Sequence, residues 1–126
     1  MQNGKLKIIA LTEVSLLREL AIQTYRETFA DSNSEALLQQ YFKESLNKDV
    51  LSTQLQNPNS EFYFIYEKNT DNEKTRPAGF LKLNIDDAQT DIHDPTALEV
   101  EKIYISKRCL GNGLGKQMIS FAIQRA

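Results

Sequence analysis

Residues 98–126 read LEVEKIYISKRCLGNGLGKQMISFAIQRA, and three successive textures decide how the chain folds around them. Leu98 to Ile105 alternates and is β-branched, as a strand is. Gly111, Gly113 and Gly115 crowd the turn that follows, and the apolar residues after Leu114 recur at a helical period. A glycine-rich passage from strand to helix lets backbone approach a ligand, because no Cβ intervenes and positive φ costs little. The free amides there and the positive end of the helix dipole suit an anionic phosphate. The same glycines equally describe a tight turn without a ligand. GNGLGK lacks the spacing and the Lys-Ser/Thr pair of a Walker A loop, and the early βαβ unit of a dinucleotide fold is missing.

Upstream, residues 5–10 read as a first strand. Thr12 or Ser15 then offers a cap for a helix whose apolar stripe is Leu16, Leu17, Leu20, Ala21, Tyr25 and Phe29. Asp31 to Ser34 interrupts it, and Ser34 is the N-cap expected for a second helix through Leu38, Tyr41 and Phe42. Residues 47–56 carry Val50, Leu51 and Leu55 on a third helical period, stopped where Pro58 disfavours helical backbone at Asn57. Residues 62–67 and 78–84 are strands joined across the polar run 69–76, with Gly79 marking a bulge or a close backbone approach. A second polar connection, residues 86–95, leads into the strand 98–105. The order β-α-α-α-β-β-β-α implies an α+β fold, a mainly antiparallel sheet with flanking helices.

The chain has 126 residues, enough for one domain (1–126) with a single core, and 40% hydrophobic with 25% charged residues is ordinary for a globular protein. A net charge of −2 gives no electrostatic argument for nucleic acid or anionic membrane, both of which favour a basic surface. Cys109 is the one cysteine, so no internal disulfide forms and a reducing compartment is expected. The apolar run before Thr12 is too short for a signal sequence and no segment is long enough to span a bilayer, so a cytoplasmic location is expected.

With Leu110-Gly111-Asn112-Gly113-Leu114-Gly115 in this position, the chain resembles the GCN5-related N-acetyltransferases (GNAT superfamily). Their signature is Gln or Arg, two variable residues, Gly, one variable residue, then Gly or Ala. Leu110 departs from the Gln/Arg, while Arg108 allows a shifted reading through Gly111 and Gly113. The segments TYRETF, NPNSEFYFIY, GFLKLN, AQT and LEVEKIYI are similar to the bacterial PaiA-type polyamine (spermidine/spermine) N-acetyltransferases, and the similarity covers most of the chain from Leu6 onward.

The resemblance implies an acetyl-CoA-dependent transfer to a primary amine by direct attack. Ile103, Tyr104 and Ile105 would pair their backbone with the pantetheine arm, as an added strand pairs with a sheet edge. Leu110, Gly111, Asn112, Gly113, Leu114, Gly115 and Lys116 would hold the pyrophosphate. An attacking amine must be neutral, so a carboxylate or carboxylate-held water must accept a proton. Glu99 and Glu101, two apart, share a face of an ideal strand. The resemblance ranks Glu99 slightly first, a bulge could change which of the two points inward, and both could equally be solvated beside Lys102.

Tyr25 and Phe29 read as core. Asp31 and Glu35 could attract a polyamine, His93 reads as a loop residue, and no metal cluster accompanies it. Cys109, beside a helix start that could lower its pKa, reads as incidental to the chemistry. The family continues past the helix in which this sequence stops, so truncation is expected. With it come an exposed edge at residues 98–105, a homodimer covering that edge, and the alternative of an inactive remnant serving as a CoA-binding or interaction domain.

Overall fold

A computed structural model describes residues 4–67, 76–90, 94, 96–111 and 113–126. The hairpin loop expected at 69–76 therefore lies largely outside the described residues, as do His93 and Asn112. The elements run β1 (Gly4–Ile8), α1 (Val14–Phe29), α2 (Glu35–Ser45), α3 (Lys48–Gln56), β2 (Ser60–Glu67), β3 (Gly79–Asn84), β4 (Glu99–Ile105) and α4 (Leu114–Arg125). This is the order read from the sequence, and the fold is α+β. Among the described residues the four strands form one antiparallel sheet in the order β1-β2-β3-β4.

Local chemistry sets the helix boundaries. Ser34 Oγ accepts from the Leu37 amide at 3.2 Å, and Asn47 Oδ1 accepts from Val50 at 2.9 Å. Each cap satisfies one of the amides a helix start leaves without an intrahelical acceptor. Asn57 ends α3 in extended backbone (φ −71°, ψ 118°), as Pro58 requires. The start of α1 differs from expectation, since neither Thr12 nor Ser15 caps it. A 3-10 turn at Leu11–Glu13 precedes the helix, and the Glu13 carboxylate accepts from the Ala10 amide at 2.9 Å. That turn also ends β1 at Ile8, short of the expected Ala10.

Strand alternation divides the interior into two layers. Phe62, Phe64, Tyr66 and Phe80 face α1–α3 and meet Leu17, Leu20, Ala21, Leu38, Phe42 and Leu51. Ile65, Leu81 and Leu83 face the opposite way and meet Leu114, Met118 and Ala122 of α4. Gly79 allows the close approach suggested by its sequence context: a Cβ there would lie 2.1 Å from the Tyr104 carbonyl oxygen of β4. The bulge falls elsewhere.

Candidate functional site

In the β3–β4 ladder, Lys82 pairs with Lys102 but Leu83 pairs with Val100, so Glu101 is the extra residue of a bulge. A bulge resets the alternation. Beyond it, Lys102 and Tyr104 lie opposite Lys82 and Phe80 on the face toward α1–α3, whereas Ile103 and Ile105 pack toward α4. Glu99 and Glu101 nevertheless converge. The Asn84 amide nitrogen donates to Glu99 Oε1 at 2.8 Å and to Glu101 Oε1 at 2.7 Å, while its carbonyl accepts from Ser60 Oγ at 2.9 Å. Asn84 is fully buried, and these three bonds satisfy the side chain in the interior.

The two carboxylates have different surroundings. Both oxygens of Glu99 accept from Thr90, through its amide and its hydroxyl, at 2.9 to 3.2 Å. Glu101 takes Lys82 Nζ at 2.7 Å on the oxygen that also meets Asn84, and no described residue donates to its Oε2. Burial pushes the Glu101 carboxyl upward, but the bonds from Lys82 and Asn84 and the charges of Lys82 and Lys102 outweigh it and hold the pKa below the ordinary 4.5. Burial lowers Lys102, with Glu101 opposing the shift. Tyr104 and Tyr41 are both raised, first by burial and then by neighbouring groups that include Glu101. Tyr25 stacks on Tyr41 with ring centroids 4.1 Å apart. Tyr25 and Phe29 are half-buried against the α1–α3 core, in keeping with their sequence reading.

A cleft of about 420 Å³ opens beside these carboxylates, walled by Gln89, Thr90, Ala97, Leu98, Val100, Glu99 and Glu101. Gln89 contributes to this wall. Its buried side chain donates to the carbonyls of Asp94 and Ala97 at 3.0 and 2.8 Å, and accepts from the Asp94 amide at 2.7 Å.

The glycine turn lies past the other end of β4. Its approach is pinned to the body of the fold: the Ser106 amide donates to the Ala78 carbonyl at 2.7 Å, and Lys107 donates to the Glu27 carboxylate of α1 at 2.8 Å. Gly111 and Gly113 are left-handed, at φ 87° and 77°. Gly113 is the N-cap of α4 and has no side chain to satisfy the first turn. Gln117 is bonded back to the Gly113 carbonyl at 3.1 Å, whereas no described residue accepts from the amides of Gly111, Gly113, Leu114, Gly115 or Lys116. A Cβ at Gly111 would meet nothing within 4 Å. Lys107, Arg108, Leu110 and Lys116 are exposed, while Leu114 is buried and belongs to the core. Amides without an acceptor among the described residues, room beside Gly111 and nearby cations fit a diphosphate.

Other residues resolve more simply. Glu35 is bonded to Arg26 at 2.5 Å and to Gln39, which hold its carboxyl low. Cys109 is buried 3.5 Å from a Glu67 oxygen, and burial raises its thiol rather than lowering it as proximity to a helix start suggested. Among the described residues no His, Cys, Asp and Glu group could hold a metal, and no helix is long and apolar enough to cross a membrane.

Sequence reasoning missed Asn84, Lys82 and Thr90. The phase Phe80-Lys82-Asn84 was a usable signal, because it places two polar side chains on the face that also buries Phe80.

Residues 15–126 match the acetyltransferase (GNAT) family, and the chain belongs to that family. It is 37% identical over 121 residues to an uncharacterized N-acetyltransferase from the pepI 3′ region of Lactobacillus delbrueckii subsp. lactis, a match covering 94% of this chain and 66% of that protein. The fold is similar to the PaiA N-acetyltransferase of Thermoplasma acidophilum in complex with coenzyme A, with a TM-score of 0.75, 17% identity, and coverage of 98% of this chain and 72% of that one. It is also similar to an aminoglycoside acetyltransferase from an uncultured soil metagenomic sample, at a TM-score of 0.65 and 13% identity, covering 98% and 72% of the two chains.

Proposed function

We propose that this chain is the acetyl-CoA-binding and base-bearing part of an N-acetyltransferase that acylates a primary amine of a polyamine or other small molecule by direct attack. The observation that carries this reading is the arrangement along β4. A carboxylate pair joined by Asn84 borders a cleft at one end, and a turn whose amides have no acceptor among the described residues follows the other. Ser106 lies five positions past Glu101, about 16 Å of strand at roughly 3.3 Å per residue, so one elongated ligand with a diphosphate end suits both places.

The amides of Gly111 and of Gly113 to Lys116, together with Asn112 and Leu110 of the same turn, would hold the pyrophosphate. The backbone of Ile103, Tyr104 and Ile105 would pair with the pantetheine arm, since β4 has β3 on one side and no described strand on the other. Acetyl-CoA supplies a thioester carbonyl as electrophile. Glu101 accepts the proton of the incoming ammonium on Oε2, directly or through a water. Glu99, held by Thr90, contributes negative charge that favours a cationic substrate in the cleft. A carboxylate with a low pKa is a weak base, so its role is to place and relay the proton more than to drive the transfer.

The substrate class rests on three supports: the acidic cleft, similarity of short segments to PaiA-type enzymes, and structural likeness to a protein named PaiA. A single free buried cysteine, Cys109, supports a reducing, cytoplasmic setting. The open edge of β4 also supports pairing with a second copy, and light scattering tests this, a monodisperse monomer excluding it. For the main reading, calorimetry with acetyl-CoA should give heat that Gly113→Glu abolishes, and a panel of amines should then reveal an acetylated member. Equal binding by the parent and Gly113→Glu removes the turn from the proposal, while binding without transfer to any amine favours a CoA-binding domain.

A further inference from the structure

Lys82 lies in an unusual place for an ammonium group. It sits in the middle of β3, between two paired strands, and is 6% exposed. Its Nζ reaches Glu101 Oε1 at 2.7 Å and Gln54 Oε1 of α3 at 3.2 Å, and stands 5.3 Å from the Phe62 ring centroid. Buried ion pairs recover little beyond the cost of desolvating both partners, so stability alone is a poor account of a lysine here. The contact is also one-sided. Lys82 and Asn84 both address Oε1, no described residue addresses Oε2, and Glu101 lines the cleft.

We propose that Lys82 is a positioning residue: by holding Oε1 of Glu101 from the interior side, it fixes the carboxylate's orientation and turns Oε2 toward the amine in the cleft. The inference rests on the reading of Glu101 as proton acceptor. The groups facing Glu101 are Lys82 and Asn84 from β3, Glu99, Lys102 and Tyr104 from β4, and Tyr41 from α2, on which Tyr25 of α1 stacks. Of these, Lys82 is the cation bonded to the carboxylate. Without it, burial acts against the charge with only Asn84 and the more distant Lys102 opposing, and the carboxyl protonates at higher pH.

The test compares the parent, Lys82→Met and Lys82→Arg in kcat/KM for an acetylated amine from pH 5 to 9. Lys82→Met should acquire an acidic limb that the parent lacks, losing at least about tenfold more at pH 6 than at pH 8, and Lys82→Arg should restore the parental shape. A loss equal at every pH marks a merely structural lysine and overturns the inference. Carbon-13 NMR of glutamate carboxyls, with Glu101 assigned through Glu101→Gln, gives a readout independent of turnover. Glu101 should titrate below 4.5 in the parent and higher in Lys82→Met. Equal midpoints overturn the inference. If Lys82→Met does not fold, a parental midpoint at or above 4.5 has the same force. Transfer with unshifted profiles refutes the role of Lys82 alone, whereas absence of any transfer alongside the shifted titration refutes the proposed function.

Discussion

Replacing Asn84 by Asp exchanges one nitrogen for an oxygen in a side chain of nearly the same shape, and two contacts change sign. The Nδ2 group now bonds carboxylate oxygens of Glu99 and Glu101 at 2.8 and 2.7 Å, so the substitution puts a third carboxyl among them in a fully buried position. Each hydrogen bond to a charged group contributes about 1.5–3 kcal/mol, so losing both costs about 3–6 kcal/mol if the site does not relax. Protonation offers partial relief. A carboxyl forced beside two others titrates higher folded than unfolded, so the variant binds a proton on folding. The sign follows from that difference. The deficit relative to the parent is smallest below the unfolded aspartate pKa, near 4, and grows by up to about 1.4 kcal/mol per unit as pH rises toward the folded value. Urea unfolding at a series of pH values reads this directly. A domain with about 5–15 kcal/mol in hand can stay folded through the lower end of that range. A variant within about 1 kcal/mol of the parent at pH 7, or a deficit independent of pH, would refute the bridging role of Asn84.

Gly79→Ala drives a Cβ to 2.1 Å from the Tyr104 carbonyl oxygen, and because backbone on both strands must yield, a loss of about 1–3 kcal/mol or more in chemical denaturation is expected. Ser34→Ala removes the acceptor of the Leu37 amide and should cost about 1 kcal/mol, read as a lower urea midpoint with an unchanged slope. Glu61, bonded to Arg125 and Tyr63, and Glu101 both titrate below 4.5 in the folded chain, despite burial pushing each upward. Their stabilisation is therefore complete above the unfolded value and lost as pH falls through the folded ones, so acid unfolding should sharpen below pH 4.5, and Glu61→Gln should blunt it.

What the sequence made legible is what short-range chemistry controls. Ser34 and Pro58 announce helix ends through groups within three residues of each boundary, and the structure uses them so, whereas the Asn47 cap of α3 emerged only from the structure. The glycine turn was legible because positive φ at Gly111 and Gly113 has few residue solutions. A bulge in β4 could be entertained but not placed, since its position at Glu101 exists only in the pairing of β4 with β3 and leaves no composition mark on EVEKIYI. The convergence of Asn84 and Lys82 on the carboxylates depends on that same pairing, across 15 to 17 residues of chain for Asn84 and 19 for Lys82. Neither Thr12 nor Ser15 caps α1 because a 3-10 turn leads into it, and within that turn the Glu13 carboxylate reaches back to the Ala10 amide.

In the proposed reaction a half-buried carboxylate on β4 takes the proton from an amine attacking a thioester held along the same strand. Initial rates of thiol release from acetyl-CoA with spermidine as the acceptor, for the parent, Glu99→Gln and Glu101→Gln, test it most directly. For Glu101→Gln, kcat should fall by about 100-fold or more while acetyl-CoA binding is retained, with Glu99→Gln less impaired. A Glu101→Gln variant that turns over spermidine at the parental rate would contradict it.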